Sequence, residues 1–401
     1  MSKKFIVIYF GDWWDNRWRR RQQLAWRLAE RQDVEKVYYI EFPVSIPELI
    51  KSIGGISYLG ARDRWGHIFK HGFRSSLKKL EIITPVSLLP YFGPRFDFDK
   101  AFVRFFTSRL LRDVVKKESL AHRTVLWISH PFAINYIGKF NEELVCYDCT
   151  ERFADFKEWG DNLRKKIAKD DIYITSKARL VFTQTTPVLL EKKKLNPNTH
   201  LVPNAVDYEN FIRSGDKKID LSDINAIKKP ILGFIGIYNN KIDEELLIKA
   251  AEAYPNCSIV ILGIYLRDTN FDRLARYDNV HYLGLKDFSE IPSYLEFFDV
   301  CLLPYKIDCD NRGGSPLKLF DYLASGKPIV SIKVSGTEDF GDVAILAENH
   351  EKFIEGINSA LNDHELLTQL KRRMKAKENS WKIRADQVWG LIQSALGEVA
   401  K

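Results

Sequence analysis

The run from residue 313 to residue 330 places the strongest constraint on how this chain can fold. It reads as a loop, a helix and a buried strand. Ser315 is a favoured N-cap residue, Pro316 suits the first helical position, and Gly326 suits the residue after the last turn. Pro328 stops the helix from continuing before the next apolar strand. Free backbone amides and the positive end of a helix dipole would face the loop, so the sequence predicts an anion site there.

Strands and helices alternate along the rest of the chain. Predicted strands lie at 5–10, 37–41, 124–129, 144–147, 180–183, 231–236, 258–262, 280–283, 300–304 and 329–332. Predicted helices lie at 20–31, 104–117, 161–175, 243–253, 289–297 and 316–324. This alternation predicts an α/β protein with parallel sheets. A polar stretch at 207–229 separates two series of elements, and 401 residues suit two domains.

Residues 316–330 (PLKLFDYLASGKPIV) resemble the nucleotide-sugar signature of the group 1 glycosyltransferases. Further resemblances follow in the family's order at 11–14 with 21–25, 203–207, 233–236, 279–284 and 299–305. The likeness is closest to the branch that builds cell-surface polysaccharides, such as teichuronic-acid and exopolysaccharide transferases. It implies the GT-B fold, in which two Rossmann-like domains face each other across a cleft and a C-terminal helix crosses back. Residues 1–205 with 381–401 would bind the acceptor, and residues 206–380 the nucleotide sugar.

The resemblance also implies an activity. A sugar would pass from a nucleoside diphosphate sugar such as a UDP-sugar to a hydroxyl of a lipid-linked cell-surface glycan. The nucleotide sugar is then a co-substrate, and no cofactor is expected. No metal is expected either, although residues 308–310 spell the D-x-D of metal-dependent transferases of a different, single-domain fold. This D-x-D lies far from an N-terminal nucleotide domain, and a helix dipole can stabilise a diphosphate without a metal.

The donor site is expected around this predicted helix. Residues expected to hold the diphosphate are Arg312, Gly314, Ser315, Pro316, Leu317, Lys318 and Lys241. Residues expected to hold the nucleoside are Gly236, Tyr238 and Asp321. Asp321 aligns with the ribose-binding Glu of the family and is one methylene shorter. The family's retaining members carry another Glu eight residues earlier, where this chain has Gly313, so the stereochemical outcome stays open.

Two acidic residues are the candidate catalytic bases. Asp148 and Glu151 follow the predicted strand 144–147, where ligands of parallel sheets bind. An inverting transferase needs a carboxylate that removes the proton of the acceptor hydroxyl. Helix capping is the alternative role for either side chain.

The acceptor site is expected at the ends of other strands in the first half of the chain. The candidate residues are Gly11, Asp12, Trp13, Arg21 and His130. Arginines could meet an acceptor phosphate, whereas exposure on a helix surface is the simpler explanation for them.

Charge is uneven along the chain. Residues 1–205 carry a net charge of +13 and residues 206–401 a net charge of −5. Within the basic half, residues 62–80 interleave basic and apolar side chains at helical spacing and predict an amphipathic helix at a membrane surface. No apolar run reaches the length of about 20 residues that spans a bilayer. The chain is therefore expected in the cytoplasm, at the inner face of the cell membrane.

Two other function classes compete with a transferase. A nucleotide-sugar epimerase of the same fold would act on the donor without a second substrate. The basic first half could instead belong to a nucleic-acid-binding module, but no compact recognition motif is visible and the 313–330 segment would be unexplained. Nucleic acid is therefore not the expected partner.

Overall fold

The computed structural model describes residues 4–14, 18–47, 50, 73–77, 79–87, 122–156, 159–213, 219–266, 271–307 and 314–397. The chain divides into two compact units. The first contains Met1–Thr183, Val188–Val202 and Ala385–Lys401, and the second contains Gln184–Pro187 and Pro203–Arg384. Each unit is built on its own largely parallel sheet.

The first unit has an eight-stranded sheet. Its strands lie side by side in the order Thr199–Leu201, Leu180–Thr183, Leu144–Cys149, Arg123–Ile128, Phe5–Phe10, Val34–Ile40, Leu80–Ile83 and Phe73–Leu77. All neighbours are parallel except the last pair. The strand Phe5–Phe10 is buried along its whole length, as expected for a central strand covered on both faces. A short parallel pair joins Val44–Ser45 to Val86–Ser87.

Helices surround this sheet. In the part of the unit that the structure describes, the α-helices are Arg20–Ala29, Asp161–Lys177 and Thr186–Lys193, and 3₁₀ turns lie at Pro131–Tyr136 and Phe153–Asp155. The last helix, Trp381–Ala395, has its first turn in the second unit and the remainder in the first. Trp389 of this helix packs edge-on against Phe5, with ring centroids 5.1 Å apart, and donates its indole N–H to Asp33 at 2.6 Å. A C-terminal helix is therefore present, as predicted.

The second unit has a six-stranded, fully parallel sheet. Its order is Val280–Gly284, Ser258–Leu262, Ile231–Ile235, Val300–Leu303, Ile329–Ile332 and Ile345–Ala347. Its α-helices are Tyr208–Arg213, Ser222–Asn225, Glu244–Ala253, Phe271–Leu274, Ile291–Phe297, Leu317–Ser325, His350–Leu361 and Leu366–Glu378, and a 3₁₀ turn lies at Glu338–Phe340. The sheet separates two apolar clusters, one on each face. The predicted α/β class with parallel sheets is confirmed.

One predicted helix is wrong in the part that the structure describes. Residues 73–79 were expected to continue a basic amphipathic helix that begins at residue 62. Instead Phe73–Leu77 is a strand that pairs antiparallel with Leu80–Ile83. Phe73 and Leu77 are four residues apart, a spacing that fits one face of a helix and also the two-residue period of a strand, so the sequence pattern did not distinguish the two. Residues 62–72 and the predicted helix 104–117 lie outside the described residues.

No helix within the described ranges combines the length and the apolar character needed to cross a bilayer.

Candidate functional site

The helix Leu317–Ser325 lies where the 313–330 segment predicts it, but it begins one residue later. Pro316 occupies the N-cap position with φ −65° and ψ 111°, and no side chain caps the helix. The predicted cap at Ser315 and first turn at Pro316 are therefore wrong by one residue. Gly326 ends the helix at φ +78°, as predicted for a left-handed C-terminal residue.

This one-residue difference leaves the hydroxyl of Ser315 available. Its oxygen is buried and has no hydrogen-bond partner among the described residues. Ser315 is instead held through its backbone, because Asn204 Nδ2 donates to the Ser315 carbonyl at 2.7 Å. A buried hydroxyl without a partner is costly, so it favours a ligand oxygen at this place. The first amides of a helix also lack intrahelical acceptors.

A close approach joins the end of one strand to this helix. Gly236 follows the strand Ile231–Ile235 and has φ +122°, which favours glycine. A Cβ atom at Gly236 would stand 2.0 Å from Cε of Lys318. Two residues that the sequence analysis assigned separately to the nucleoside and the diphosphate are therefore neighbours.

Lys318 points its ammonium group into an aromatic and basic environment. Nζ lies 4.6 Å from the centroid of the Phe234 ring and 5.4 Å from that of Tyr305. Burial and the charge of Lys241 lower the pKa of Lys318 to about 8, while Asp321 acts in the opposite direction. A bound diphosphate would supply the negative charge that the free site lacks, so the ammonium is suited to hold it.

Asp321 lies one turn further along the helix and is half-buried. Burial and the nearby carboxylate of Asp207 raise the pKa of Asp321 to about 8. The side chain is thus largely protonated at neutral pH, and a neutral carboxyl group can both donate to and accept from a ribose hydroxyl.

Tyr238 does not offer its ring to a ligand. The side chain is 1% exposed and packs edge-on against Phe271 in the core, with ring centroids 5.2 Å apart. The expectation that this residue binds the nucleoside can therefore hold only for its backbone.

An aromatic group that the sequence analysis did not single out lies beside this turn. Tyr265 stacks on Phe271 at 4.9 Å and remains 44% exposed. Tyr282 meets both rings edge-on and donates its hydroxyl to the carbonyl of Gly263 at 2.8 Å. The exposed face of Tyr265 could stack on a nucleobase. Its signal in the sequence is a tyrosine just after the buried strand Ser258–Leu262.

Gly336 is a second residue that sequence reasoning missed. It has φ +83°, and a Cβ atom there would stand 3.3 Å from the Ser315 hydroxyl and 2.9 Å from its Cα. Any larger residue would crowd Ser315. The available signal is a Ser-Gly pair shortly after the strand Ile329–Ile332.

Among the predicted diphosphate ligands, Gly314 is exposed, Pro316 is buried and Leu317 is half-buried. Among the described residues, no heavy atom lies within 4 Å of the position that a Cβ atom of Gly314 would take, apart from its chain neighbours. These residues leave room for a ligand at the Gly314 backbone. Arg312 lies outside the described residues.

The predicted acceptor residues form a polar cluster at one edge of the first unit's sheet. Arg21 donates to Asp12 at 2.8 Å and to the Thr150 hydroxyl at 2.5 Å. Burial alone would raise the pKa of Asp12, but Arg21 and Arg19 hold it below its usual value. Burial and Arg21 lower the pKa of His130 to about 3, so its imidazole is neutral at pH 7.

Gly11 and Trp13 are more occupied than expected. A Cβ atom at Gly11 would stand 2.2 Å from the hydroxyl of Tyr39, which donates to the Asp12 carbonyl at 2.9 Å. Gly11 is therefore required by packing within the unit. The indole N–H of half-buried Trp13 donates to the carbonyl of Phe42 at 3.2 Å, and the two rings meet edge-on with centroids 6.2 Å apart.

The two candidate bases differ sharply in their surroundings. Asp148 is fully buried and accepts three hydrogen bonds from Arg20: from Nε to Oδ1 at 3.1 Å, from Nε to Oδ2 at 3.0 Å and from Nη2 to Oδ1 at 2.8 Å. Because a base must reach the acceptor hydroxyl, this burial argues against Asp148 in that role and favours a structural one. Glu151 is exposed, and its charge helps to raise the pKa of Arg21.

Comparison with known proteins identifies the second unit. Residues 229–363 match the family model for group 1 glycosyl transferases. A curated protein of Bacillus subtilis (strain 168), provisionally named teichuronic acid biosynthesis glycosyltransferase TuaH, is 30% identical over 252 residues. The alignment covers 60% of this chain and 63% of the relative, so the chain spans less than two thirds of that protein.

Solved structures have a similar fold. Sucrose-phosphate synthase from Thermosynechococcus elongatus has a TM-score of 0.70 at 12% identity and covers 99% of this chain and 100% of its own. Anabaena HepE, solved in complex with UDP and glucose, has a TM-score of 0.63 at 13% identity, with coverage of 99% and 100%. Residues 229–363 are therefore similar to the group 1 glycosyl transferases, in a chain that has the GT-B fold.

Proposed function

We propose that this chain is a glycosyltransferase that moves a sugar from a nucleoside diphosphate sugar to a hydroxyl of a lipid-linked cell-surface glycan. The observation that carries the proposal is the buried, unpartnered hydroxyl of Ser315 at the start of the helix Leu317–Ser325. The ammonium of Lys318 and the helix amides would offset the charge of the departing nucleotide. HepE, solved with UDP and glucose, supports UDP as the nucleotide to test first.

The acceptor chemistry rests on Glu151. Its exposed carboxylate would take the proton from the acceptor hydroxyl as that oxygen bonds to the anomeric carbon and the nucleoside diphosphate leaves. Arg21, held between Asp12 and Thr150, would position an anionic acceptor. The provisional name of the Bacillus relative supports a cell-surface polysaccharide as the product and therefore an acceptor at the membrane face.

A nucleotide screen tests the donor site. Thermal-shift and calorimetric titrations of the full chain with UDP, GDP and their sugars should show one nucleotide that raises the melting temperature. Ser315→Ala should lower the affinity for that nucleotide roughly tenfold, because about one charge-assisted hydrogen bond is lost. Lys352→Met changes an exposed lysine of the same unit and serves as the control. Equal affinity in Ser315→Ala and wild type would contradict the proposed diphosphate site.

Paired substitutions test the base. Glu151→Gln should lower turnover by about 10²–10⁴-fold without changing nucleotide affinity or melting temperature. Asp148→Asn should lower the melting temperature, because breaking a buried ion pair costs roughly 3–5 kcal/mol, while the folded enzyme keeps its turnover. Full turnover in Glu151→Gln together with loss in stable Asp148→Asn would reverse the assignment.

An epimerase of the same fold is the second candidate for the donor site. It would convert a labelled nucleotide sugar into its epimer without any acceptor, whereas the transferase needs one. Epimer formation by the purified chain alone would favour this alternative.

A further inference from the structure

The helix Leu366–Glu378 of the second unit has an unusual orientation. A helix on the surface of a globular protein normally turns its apolar stripe inward and its charges outward. Here four large apolar side chains face outward: Leu366 is 66% exposed, Leu367 62%, Leu370 46% and Met374 62%. Leu366, Leu370 and Met374 recur every four residues, so they form a continuous stripe on one face.

The opposite face of the same helix is buried and holds a charge. Arg372 is 5% exposed and donates to the carbonyls of Val343 at 2.9 Å and Gly326 at 3.3 Å. It also pairs with Asp363. Since every one of these bonds would break if the helix turned over, the outward position of the leucines is a fixed property of the fold.

Basic residues border the exposed stripe. Lys371, Arg373 and Lys377 are all exposed, and Glu378 is the one acidic residue within the helix. Arg373 also donates to the carbonyl of Ser325 at 3.2 Å and so bonds this helix to the end of the helix Leu317–Ser325. An apolar stripe with a basic border matches the composition of a membrane: the leucines suit the acyl boundary and the cations suit acidic headgroups.

We propose that the face formed by Leu366, Leu367, Leu370 and Met374, with the bordering Lys371, Arg373 and Lys377, docks on a lipid surface that carries acidic headgroups. The contact is peripheral. The helix is held along the surface of its unit by Arg372, so its apolar side chains would reach only the interfacial region of the bilayer. It differs from the membrane contact expected at residues 62–80 and does not depend on the identity of the donor or acceptor.

Vesicle co-sedimentation of the full chain tests this surface. Wild type should bind vesicles of phosphatidylglycerol and phosphatidylcholine and lose most binding on phosphatidylcholine alone. Leu366→Ser/Leu370→Ser/Met374→Ser should reduce the partition coefficient at least tenfold. The matched control, Ile172→Ser/Leu190→Ser/Ile212→Ser, removes three equally exposed apolar residues from three other helices and should bind as wild type does.

A second pair of variants tests the basic border. Lys371→Gln/Lys377→Gln should weaken binding several-fold and make it less sensitive to salt, whereas Lys333→Gln/Lys352→Gln should not. The melting temperature and nucleotide affinity of all variants should match wild type, because the changed side chains are exposed and outside the donor site. This control separates a failed docking surface from a failed function.

Two results would overturn the proposal. One is vesicle binding that is absent in wild type or unchanged in the triple leucine variant. The other is a concentration-dependent dimer in sedimentation velocity that the triple variant abolishes without any vesicle binding, since the stripe would then cover a second copy of the chain.

Discussion

At the scale of single residues, the site is governed by charges that the free protein leaves uncompensated. Lys318 has a pKa lowered to about 8 by burial and by Lys241, and Asp321 has a pKa raised to about 8 by burial and by Asp207. Near neutral pH the helix start therefore carries a cation and a neutral carboxyl group. This combination suits a ligand that brings both phosphates and hydroxyls.

The lowered pKa of Lys318 makes a pH dependence testable. A bound diphosphate favours the protonated ammonium of Lys318 and raises its pKa. The affinity for the diphosphate is therefore highest below pH 8 and falls as the pH rises above 8. Between pH 7 and pH 9 the dissociation constant of the diphosphate should increase about tenfold. Calorimetry across that range measures it.

Two variants separate the groups that titrate in this window. Lys318→Met should bind more weakly at pH 7 and lose the decline above pH 8. Asp321→Asn should keep the decline, because the lysine remains. A decline that survives in Lys318→Met would assign it to another group.

At the scale of elements, the C-terminal end of the helix Leu317–Ser325 packs closely against a second helix. Gly326 has φ +78°, and a Cβ atom there would stand 2.8 Å from Cγ of Gln369 and 2.9 Å from Nε of Arg373 on the helix Leu366–Glu378. Arg372 donates to the Gly326 carbonyl and so places a cation at the negative end of the helix dipole. The two helices are therefore held together at this residue.

Substitution of Gly326 should lower the stability of the protein. Gly326→Ala should lower the free energy of unfolding by about 1–3 kcal/mol, from backbone strain and overpacking together. Gly390→Ala is the control, because no heavy atom of the described residues, apart from the helix's own backbone, lies within 4 Å of its Cβ position. An alanine within the helix Trp381–Ala395 should stabilise it by up to about 1 kcal/mol. Urea unfolding measures the free energy of unfolding of both variants. Equal effects of the two substitutions would contradict the close packing at Gly326.

Buried parallel strands were the elements that the sequence predicted best. Four strands match their predicted bounds because nearly all of their residues are apolar: Phe5–Phe10, Leu180–Thr183, Ser258–Leu262 and Ile329–Ile332. The strands Thr199–Leu201 and Ile345–Ala347 were missed, since three residues at a sheet edge carry too little periodicity. Long-range contacts were also out of reach, such as the bond from Asn204 to Ser315, which are 111 residues apart.

The same contrast between local signals and long-range contacts applies to the residues of the candidate site. Turn chemistry predicted the start of the helix to within one residue, because that signal is local, whereas the family resemblance pointed to Gly236. Local signals could not show that Asp148 is paired with Arg20 or that the ring of Tyr238 is in the core. Burial of a single polar or aromatic residue depends on elements that are distant in sequence.

At the scale of the whole molecule, each unit brings a different set of groups to the proposed reaction. The second unit supplies the helix start, the aromatic face of Tyr265 and the exposed stripe of the helix Leu366–Glu378. The first supplies Glu151 and the Asp12 and Arg21 pair. The uneven net charge, +13 in residues 1–205 and −5 in residues 206–401, accords with anionic ligands in the first unit, while the second unit holds its cations locally at Lys241 and Lys318.

The most direct test is a crystal structure of the chain with UDP. The diphosphate should lie at the start of the helix Leu317–Ser325, with an oxygen within hydrogen-bond distance of the Ser315 hydroxyl and of Lys318 Nζ, and the base against Tyr265. A UDP molecule bound elsewhere, or a Ser315 hydroxyl still without a partner when UDP is bound, would contradict the donor site on which the proposed transfer depends.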